Sequence, residues 1–215
     1  MKILFLGPPG AGKGTCAKLI SKELGIPHIS TGEIFRRMAE EGNLIGIEAR
    51  DRYWNKGNLV PDDLTTRLVL ERLGRDDCSK GYLLDGFPRT IPQAESLEKS
   101  FGTDLLLYLS APEGVLIDRL LNRLTCKECH SIYNLITVRP KEGKKCDNCK
   151  SELYQREDDN KEKIINRSRN YSELTSPLAD FYSGRELLRQ IDSEKGLKEV
   201  LRQVKSEISS FLRVS

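Results

Sequence analysis

The stretch from Lys2 to Thr15, KILFLGPPGAGKGT, constrains the fold of this chain more than any other segment. The apolar run Lys2 to Leu6 reads as a buried strand. It breaks into glycines and prolines, after which apolar residues at Ala17, Leu19, Ile20 and Leu24 mark a helix that stops at Gly25. Strand, glycine loop and helix in that order open a parallel α/β unit, whose loop points N–H groups at an anion beside a helix N-terminus. The pattern G-x-x-x-x-G-K-[ST] fits at Gly7, Gly12 and Lys13, but Gly14 stands where a metal-ligating hydroxyl belongs. Two readings follow: a tight Gly-Pro turn that matches by accident, or a phosphate loop that holds its metal differently.

The rest of the chain continues the alternation. Pro27 to Ser30 reads as a second strand, Tyr82 to Leu84 as a third with Asp85 at its carboxyl end, Asp104 to Leu109 as a fourth and Glu186 to Ile191 as a last one. A helical pattern follows Pro112 through Val115, Leu116, Ile117, Leu120 and Leu121. A closing helix carries Leu197, Val200, Leu201, Val204, Ile208 and Phe211 on one face. This predicts an α/β fold: a five-stranded parallel sheet covered by helices on both faces, with ligands at the strands' carboxyl ends. At 215 residues the chain suits one core domain. Two segments depart from the core pattern. Thr31 to about Val60 reads as small helices of an inserted arm, and Asn122 to Asp159 loses apolar periodicity and fills with Lys, Cys, Asn, Gly and Glu.

That second segment needs its own source of stability, and four of the six cysteines lie in it. Cys126-Lys-Glu-Cys129 and Cys146-Asp-Asn-Cys149 have the C-x₂-C…C-x₂-C spacing of a tetrahedral zinc site. Four thiolates leave no open coordination position, so the zinc is expected to be structural. Cys16 and Cys78 read as packing residues, His28 as an ordinary structural histidine, and His130 as a bystander to the cysteines. Trp54 reads as packing or an exposed contact.

A net charge of +3 is too small an excess to point to nucleic acid. A zinc-ribbon module binding nucleic acid is the alternative from another class; the acidic residues Glu128, Glu142, Asp147, Glu152 and Glu157 nearly balance the segment's lysines. Only Tyr133 and Tyr154 offer stacking platforms. No segment approaches the roughly 18 consecutive apolar residues of a membrane helix, and the first apolar run is too short for a signal peptide. The expectation is a cytoplasmic protein with reduced thiols and no membrane partner. Among the arginines, Arg89 stands out because the rigid Gly86-Phe87-Pro88 turn presents it at the sheet's carboxyl edge. Phosphoryl transfer asks for several such cations converging on one set of oxygens.

Taken together, GPPGAGKGT, ISTGEIFR (Ile29 to Arg36), LLDGFPRT (Leu83 to Thr90) with Gln93, and REDD (Arg156 to Asp159) closely resemble the adenylate kinase family in its form with a zinc-binding lid. The resemblance covers essentially the whole chain. It implies a P-loop fold with core segments 1–29, 61–121 and 160–215, an AMP-binding arm over 30–60 and a lid over 122–159. It implies the reaction ATP + AMP ⇌ 2 ADP with Mg²⁺, in a monomer whose partners are those three nucleotides. By matched position, Gly10, Ala11, Gly12, Lys13, Gly14 and Thr15 cradle ATP phosphates, and Arg119, Arg123, Ile132, Tyr133 and Lys195 meet the rest of ATP. Thr31, Arg36, Asn58, Leu59, Val60, Gly86, Phe87, Pro88, Arg89 and Gln93 receive AMP, while Arg156 and Arg167 close over the phosphates. Lys13, Asp85, Arg89, Arg123, Arg156 and Arg167 are the expected catalytic set, and Asp158 and Asp159 match a pair at the lid's base. Pro8, Cys16 and Glu33 depart from common family residues without touching the chemistry. A kinase of the same fold acting on UMP, CMP or GMP is the nearest alternative; Thr31 and Gln93 favour adenine by resemblance.

The GKGT form recurs in this family, so Gly14 becomes a family variant. Mg²⁺ then lacks a direct protein ligand there and is expected to arrive on ATP, keeping its waters. Asp85 is the candidate to hold them.

Overall fold

The computed structural model describes residues 1–214. Five parallel strands form the main sheet in the order β2-β3-β1-β4-β8: β1 (Lys2–Leu6), β2 (His28–Ser30), β3 (Tyr82–Asp85), β4 (Leu105–Ser110) and β8 (Leu188–Asp192). Successive residues of a strand face opposite sides, and the central strand uses both sides for packing. Ile3 and Phe5 join Leu83, Leu105, Leu107 and Leu109 on one face, beneath α1 (Lys13–Leu24) and the C-terminal helix α9 (Leu197–Val214). Leu4 and Leu6 join Leu84 and Leu106 on the other, with Val69 from α4 (Asp62–Leu73), Leu97 from α5 (Ile91–Ser100) and Leu178 from α8 (Leu178–Ser183). These near-continuous apolar strands are the signature of a sheet buried on both faces. The last strand begins later than the sequence predicts, because the chain turns through Glu186 at φ 60 before Leu188 can pair with Leu106.

Between β2 and β3, the helices α2 (Thr31–Glu40) and α3 (Leu44–Glu48) and two short helical turns, Ala49–Tyr53 and Trp54–Lys56, lead into α4. After α6 (Glu113–Leu121) comes a separate antiparallel sheet of order β6-β5-β7, built from β5 (Arg123–Cys126), β6 (Ile132–Asn134) and β7 (Leu153–Tyr154). Its apolar cluster is small: Leu124, Cys126, Tyr133, Cys146 and Leu153. Helix α7 (Lys161–Asn170) returns the chain to the core.

Specific polar contacts seat the two insertions. Asn166 on α7 donates to the Lys56 carbonyl at 2.6 Å, and Asn170 donates to that of Gly57 at 2.9 Å. Asn55 donates to the Glu157 carboxylate at 2.7 Å, and Lys18 on α1 donates to the Cys129 carbonyl at 3.1 Å. Among the described residues no helix is long and apolar enough to cross a membrane.

Candidate active site

The site lies where the sheet's topology directs ligands, outside the carboxyl ends of β1, β2 and β3. Register fixes the layout: Phe5 of β1 pairs with Asp85, and so does Ser30 of β2 from the other side. Asp85 therefore lies between the glycine loop leaving β1 and Thr31, which follows β2. Within that loop Gly10 has φ 87, and a Cβ there would stand 2.5 Å from the Leu116 carbonyl oxygen, so only glycine fits. Lys13 folds back and donates to the Gly7 and Pro8 carbonyls at 2.6 and 2.9 Å. Burial pushes its pKa from 10.5 to about 8; Asp85 opposes the shift, while Arg89, Arg167 and Arg123 add to it.

Close approach explains Gly14. A Cβ at this position would sit 3.0 Å from Asp85 Oδ2, so a serine or threonine would press on the carboxylate. His28, which the sequence marks only as structural, turns its buried Nε2 to within 3.9 Å of the same oxygen, and that nitrogen has no hydrogen-bond partner among the described residues. A carboxylate with one oxygen facing the loop, and no hydroxyl competing for the space, suits a hydrated Mg²⁺, which keeps its waters and leans on one or two carboxylates.

Around this point the arginines converge. Arg123, at the start of β5, grips Asp159 with two parallel bonds of 2.7 and 2.5 Å. Arg167 on α7 bridges Asp158 at 2.9 Å and Asp159 at 3.1 Å. Arg156 donates through Nε to the buried Thr125 hydroxyl at 2.9 Å. Arg89 lies open to the cleft, its Nε held by the Gly86 carbonyl at 2.9 Å. Burial opposes the charge on Arg123, yet Asp159 raises its pKa. Asp158 stays below the usual carboxylate range: burial works against it, but Arg167, Arg123, Arg156 and Arg36 outweigh burial. For Arg89, Arg36 and Arg156 desolvation comes first, and neighbouring arginines add to the downward shift. Six cations, Lys13, Arg36, Arg89, Arg123, Arg156 and Arg167, thus share one recess with four carboxylates, Asp85, Asp158, Asp159 and, beside Arg36, Glu33.

The remaining expected residues fall into two groups. Thr31 is buried with its hydroxyl on the Gly86 carbonyl at 2.9 Å, and Gln93 is 2% exposed, accepting from the Arg89 N–H and donating to Asp62, each at 2.7 Å. Both hold the Gly86-Phe87-Pro88-Arg89 turn in place. Asn58, followed by Leu59 and Val60, faces α7, its Oδ1 accepting from Asn166 at 2.9 Å. At the other end of the recess Arg119 reaches the Glu194 carbonyl at 3.0 Å, bringing α6 beside Lys195, and Asn134 of β6 donates to the Arg119 carbonyl at 3.0 Å. Tyr133 departs from the expected picture: its side chain is buried in the small sheet and its hydroxyl lies 3.5 Å from Cys146 Sγ. Sequence reasoning missed Asp62 and Thr125, which orient Gln93 and Arg156; neither sits in a recognisable spacing.

The four cysteines of the second sheet carry no disulfide, and their sulfurs all lie within 4.8 Å of one another. A tetrahedral zinc with Zn–S near 2.3 Å needs sulfurs about 3.8 Å apart, so the donor set fits zinc.

An excess of positive charge gathered in one recess stays together only where polyanions complete it, and a recess of this kind above a glycine loop at a sheet's carboxyl edge belongs to the P-loop nucleotide-binding proteins. Known proteins narrow the class. A sequence model described as adenylate kinase matches residues 5–187. The chain is 44% identical over 216 residues to the adenylate kinase of Clostridium tetani, covering 98% of this chain and 100% of that protein. It is 43% identical over 211 residues to that of Archaeoglobus fulgidus, covering 96% and 97% respectively. It is 46% identical over 209 residues to that of Thermosipho melanesiensis, covering 95% and 97%. The chain belongs to the adenylate kinase family.

Proposed function

We propose that this protein transfers the γ-phosphoryl group of ATP to AMP, reversibly, giving two ADP, and that the residues of the arginine recess perform the transfer. The observation that carries the reading is the imbalance of six cations against four carboxylates in the recess at the glycine loop. Two nucleotides meeting end to end supply the missing negative charge.

In this reading Lys13 and the N–H groups of Gly10 to Thr15 hold the ATP β- and γ-phosphates at the N-terminus of α1, while Arg36 and Arg89 hold the AMP phosphate opposite. An AMP phosphate oxygen attacks the γ-phosphorus as the bond from that phosphorus to the ADP oxygen breaks. The attacking phosphate is already anionic, so no general base is required. Arg123, Arg156 and Arg167 follow the charge that spreads over the equatorial oxygens, in a site preorganised by Asp158, Asp159 and Thr125. Mg²⁺, when bound, would neutralise charge on the phosphate oxygens, and Asp85 would hold its waters. By resemblance Arg119, Ile132, Tyr133 and Lys195 border the adenosine of ATP, Tyr133 with its ring turned into the lid; on the outer edge of β6 the Asn134 N–H and carbonyl bond Val138, which leaves the main chain of Ile132 for a ligand. Thr31, Asn58, Leu59, Val60, Gly86, Phe87, Pro88 and Gln93 border AMP.

The segments divide the labour: 1–29, 61–121 and 160–215 as core, 30–60 as AMP arm, and 122–159 as lid. Lid closure excludes water from the transfer. All these groups come from one chain, so a monomer suffices, and six free thiols suit the cytoplasm.

Incubation of the protein and Mg²⁺-ATP with AMP, UMP, CMP or GMP tests the reading. ADP is expected to form fastest from AMP and to stop without Mg²⁺; preferential use of UMP, CMP or GMP would assign the second nucleotide pocket to another base.

A further inference from the structure

Ser131, just before β6, and Tyr133 within it lie two residues apart, so their side chains share one face of the extended chain. That face meets the cysteine cluster. The Tyr133 hydroxyl lies 3.5 Å from Cys146 Sγ and accepts a hydrogen bond from the Asp147 N–H at 2.8 Å. The Ser131 hydroxyl lies 3.1 Å from Cys129 Sγ and accepts from the Asn148 side-chain amide at 2.9 Å. Each hydroxyl has a single hydrogen, and its oxygen is already occupied by an N–H donor. A metal-bound cysteine is a thiolate with no proton to give. The direction of both contacts follows: oxygen donates, sulfur accepts.

We propose that Tyr133 and Ser131 are positioning residues of the metal site, donating to the thiolates of Cys146 and Cys129 and thereby setting how tightly the lid retains zinc. The inference rests on the zinc reading of the four cysteines. Four thiolates on one dication leave the site with excess negative charge, and O–H donors draw part of it off the sulfurs while fixing their orientation. The same contacts keep the Tyr133 ring inside the lid, 6% exposed, with Ile132 on the opposite face of the strand. Strand β6 therefore joins the metal site to the edge proposed for ATP.

The test uses the full chain as wild type, Tyr133→Phe, Ser131→Ala and the double variant. Zinc affinity is read by competition with a chromophoric chelator, the thiolate-to-metal absorption after Co²⁺ replacement, and ATP affinity by titration of the zinc-loaded proteins. Wild type is expected to hold one zinc, and each single variant to bind it about 10- to 100-fold more weakly with a shifted Co²⁺ spectrum. Ser131→Ala is expected to keep wild-type ATP affinity. Unchanged zinc affinity and spectrum in Tyr133→Phe overturns the proposal, as does a loss of ATP affinity there with zinc affinity intact. If Tyr133→Phe fails to fold its lid, unchanged zinc affinity in Ser131→Ala overturns it instead. A wild-type chain that binds no zinc contradicts the metal reading itself, a result distinct from all of these.

Discussion

Replacing Arg89 with alanine should lower the rate of ADP formation by about 10³ to 10⁵-fold, roughly 4 to 7 kcal/mol of transition-state stabilisation, while the melting temperature hardly moves. The two expectations rest on different features of the same side chain. Its backbone is anchored without help from the guanidinium: the N–H is held by Gln93 at 2.7 Å and the carbonyl by the Thr175 hydroxyl at 2.9 Å. The head group donates to the Gly86 carbonyl rather than to a carboxylate, so its removal strands no buried anion. Its removal relieves repulsion from Arg167 and Arg36 and forfeits attraction to Asp85 and Asp158, changes that offset one another. Stability should therefore change by no more than an ordinary surface substitution, about 0.5 kcal/mol. Lysine at the same position should recover only part of the rate, since a point charge cannot grip two phosphate oxygens as the planar fork does. Steady-state kinetics with a parallel thermal melt separate the effects. An Arg89→Ala enzyme within tenfold of wild type would remove Arg89 from the transition state, and one that fails to fold would make it a structural residue. Arg123 and Arg167 are poorer tests, because each also holds a carboxylate in place: loss of Arg123 removes two bonds from the buried Asp159, and loss of Arg167 removes the ion pair of Asp158, so stability falls along with the rate.

Stripping zinc with a strong chelator should melt the second sheet ahead of the core. Apart from its two cysteines, that sheet's buried cluster contains only Leu124, Tyr133 and Leu153, and its strands are two to four residues long. A cluster of this size does not order a segment of nearly forty residues against its chain entropy. Structural zinc in small peptides contributes about 10 to 16 kcal/mol of apparent binding free energy near neutral pH, enough to make the fold of the insertion conditional on metal. The five-stranded core has its own two apolar layers and owes nothing to the four cysteines of the second sheet. The expected result is one zinc per chain as purified, and after chelation a new low-temperature transition with the main transition retained. Transfer to AMP should fall with the lid, because Arg123 and Arg156 are carried on its first and last strands or beside them. A protein freed of zinc that melts in one unchanged transition and keeps its activity would contradict a structural role.

The sequence discloses those parts of this account that depend on local order. The apolar runs of β1, β3 and β4, the glycine loop and the paired cysteine knuckles each carry their own signal within a dozen residues. What stays hidden is what pairing brings together. Gly14 looks like a defect in a motif until β3 is set beside β1, when the Asp85 carboxylate is seen to occupy the space a side chain would need. His28 looks like an unremarkable strand residue until the register of β2 on β3 puts its Nε2 near the same carboxylate. Asp62 and Thr125 hold Gln93 and Arg156 from other segments, and no spacing announces them. For Tyr133 the resemblance to a family supplies a ligand but not a direction, and the side chain turns inward to the cysteines.

The central claim is that the recess joins two nucleotides and delivers the γ-phosphoryl group to AMP instead of to water. Following the labelled γ-phosphate of ATP measures this directly. With Mg²⁺ and AMP present, the label should appear in ADP, two ADP forming for each AMP consumed, and inorganic phosphate should stay at background. Release of the label as inorganic phosphate at the same rate with or without AMP would contradict the account.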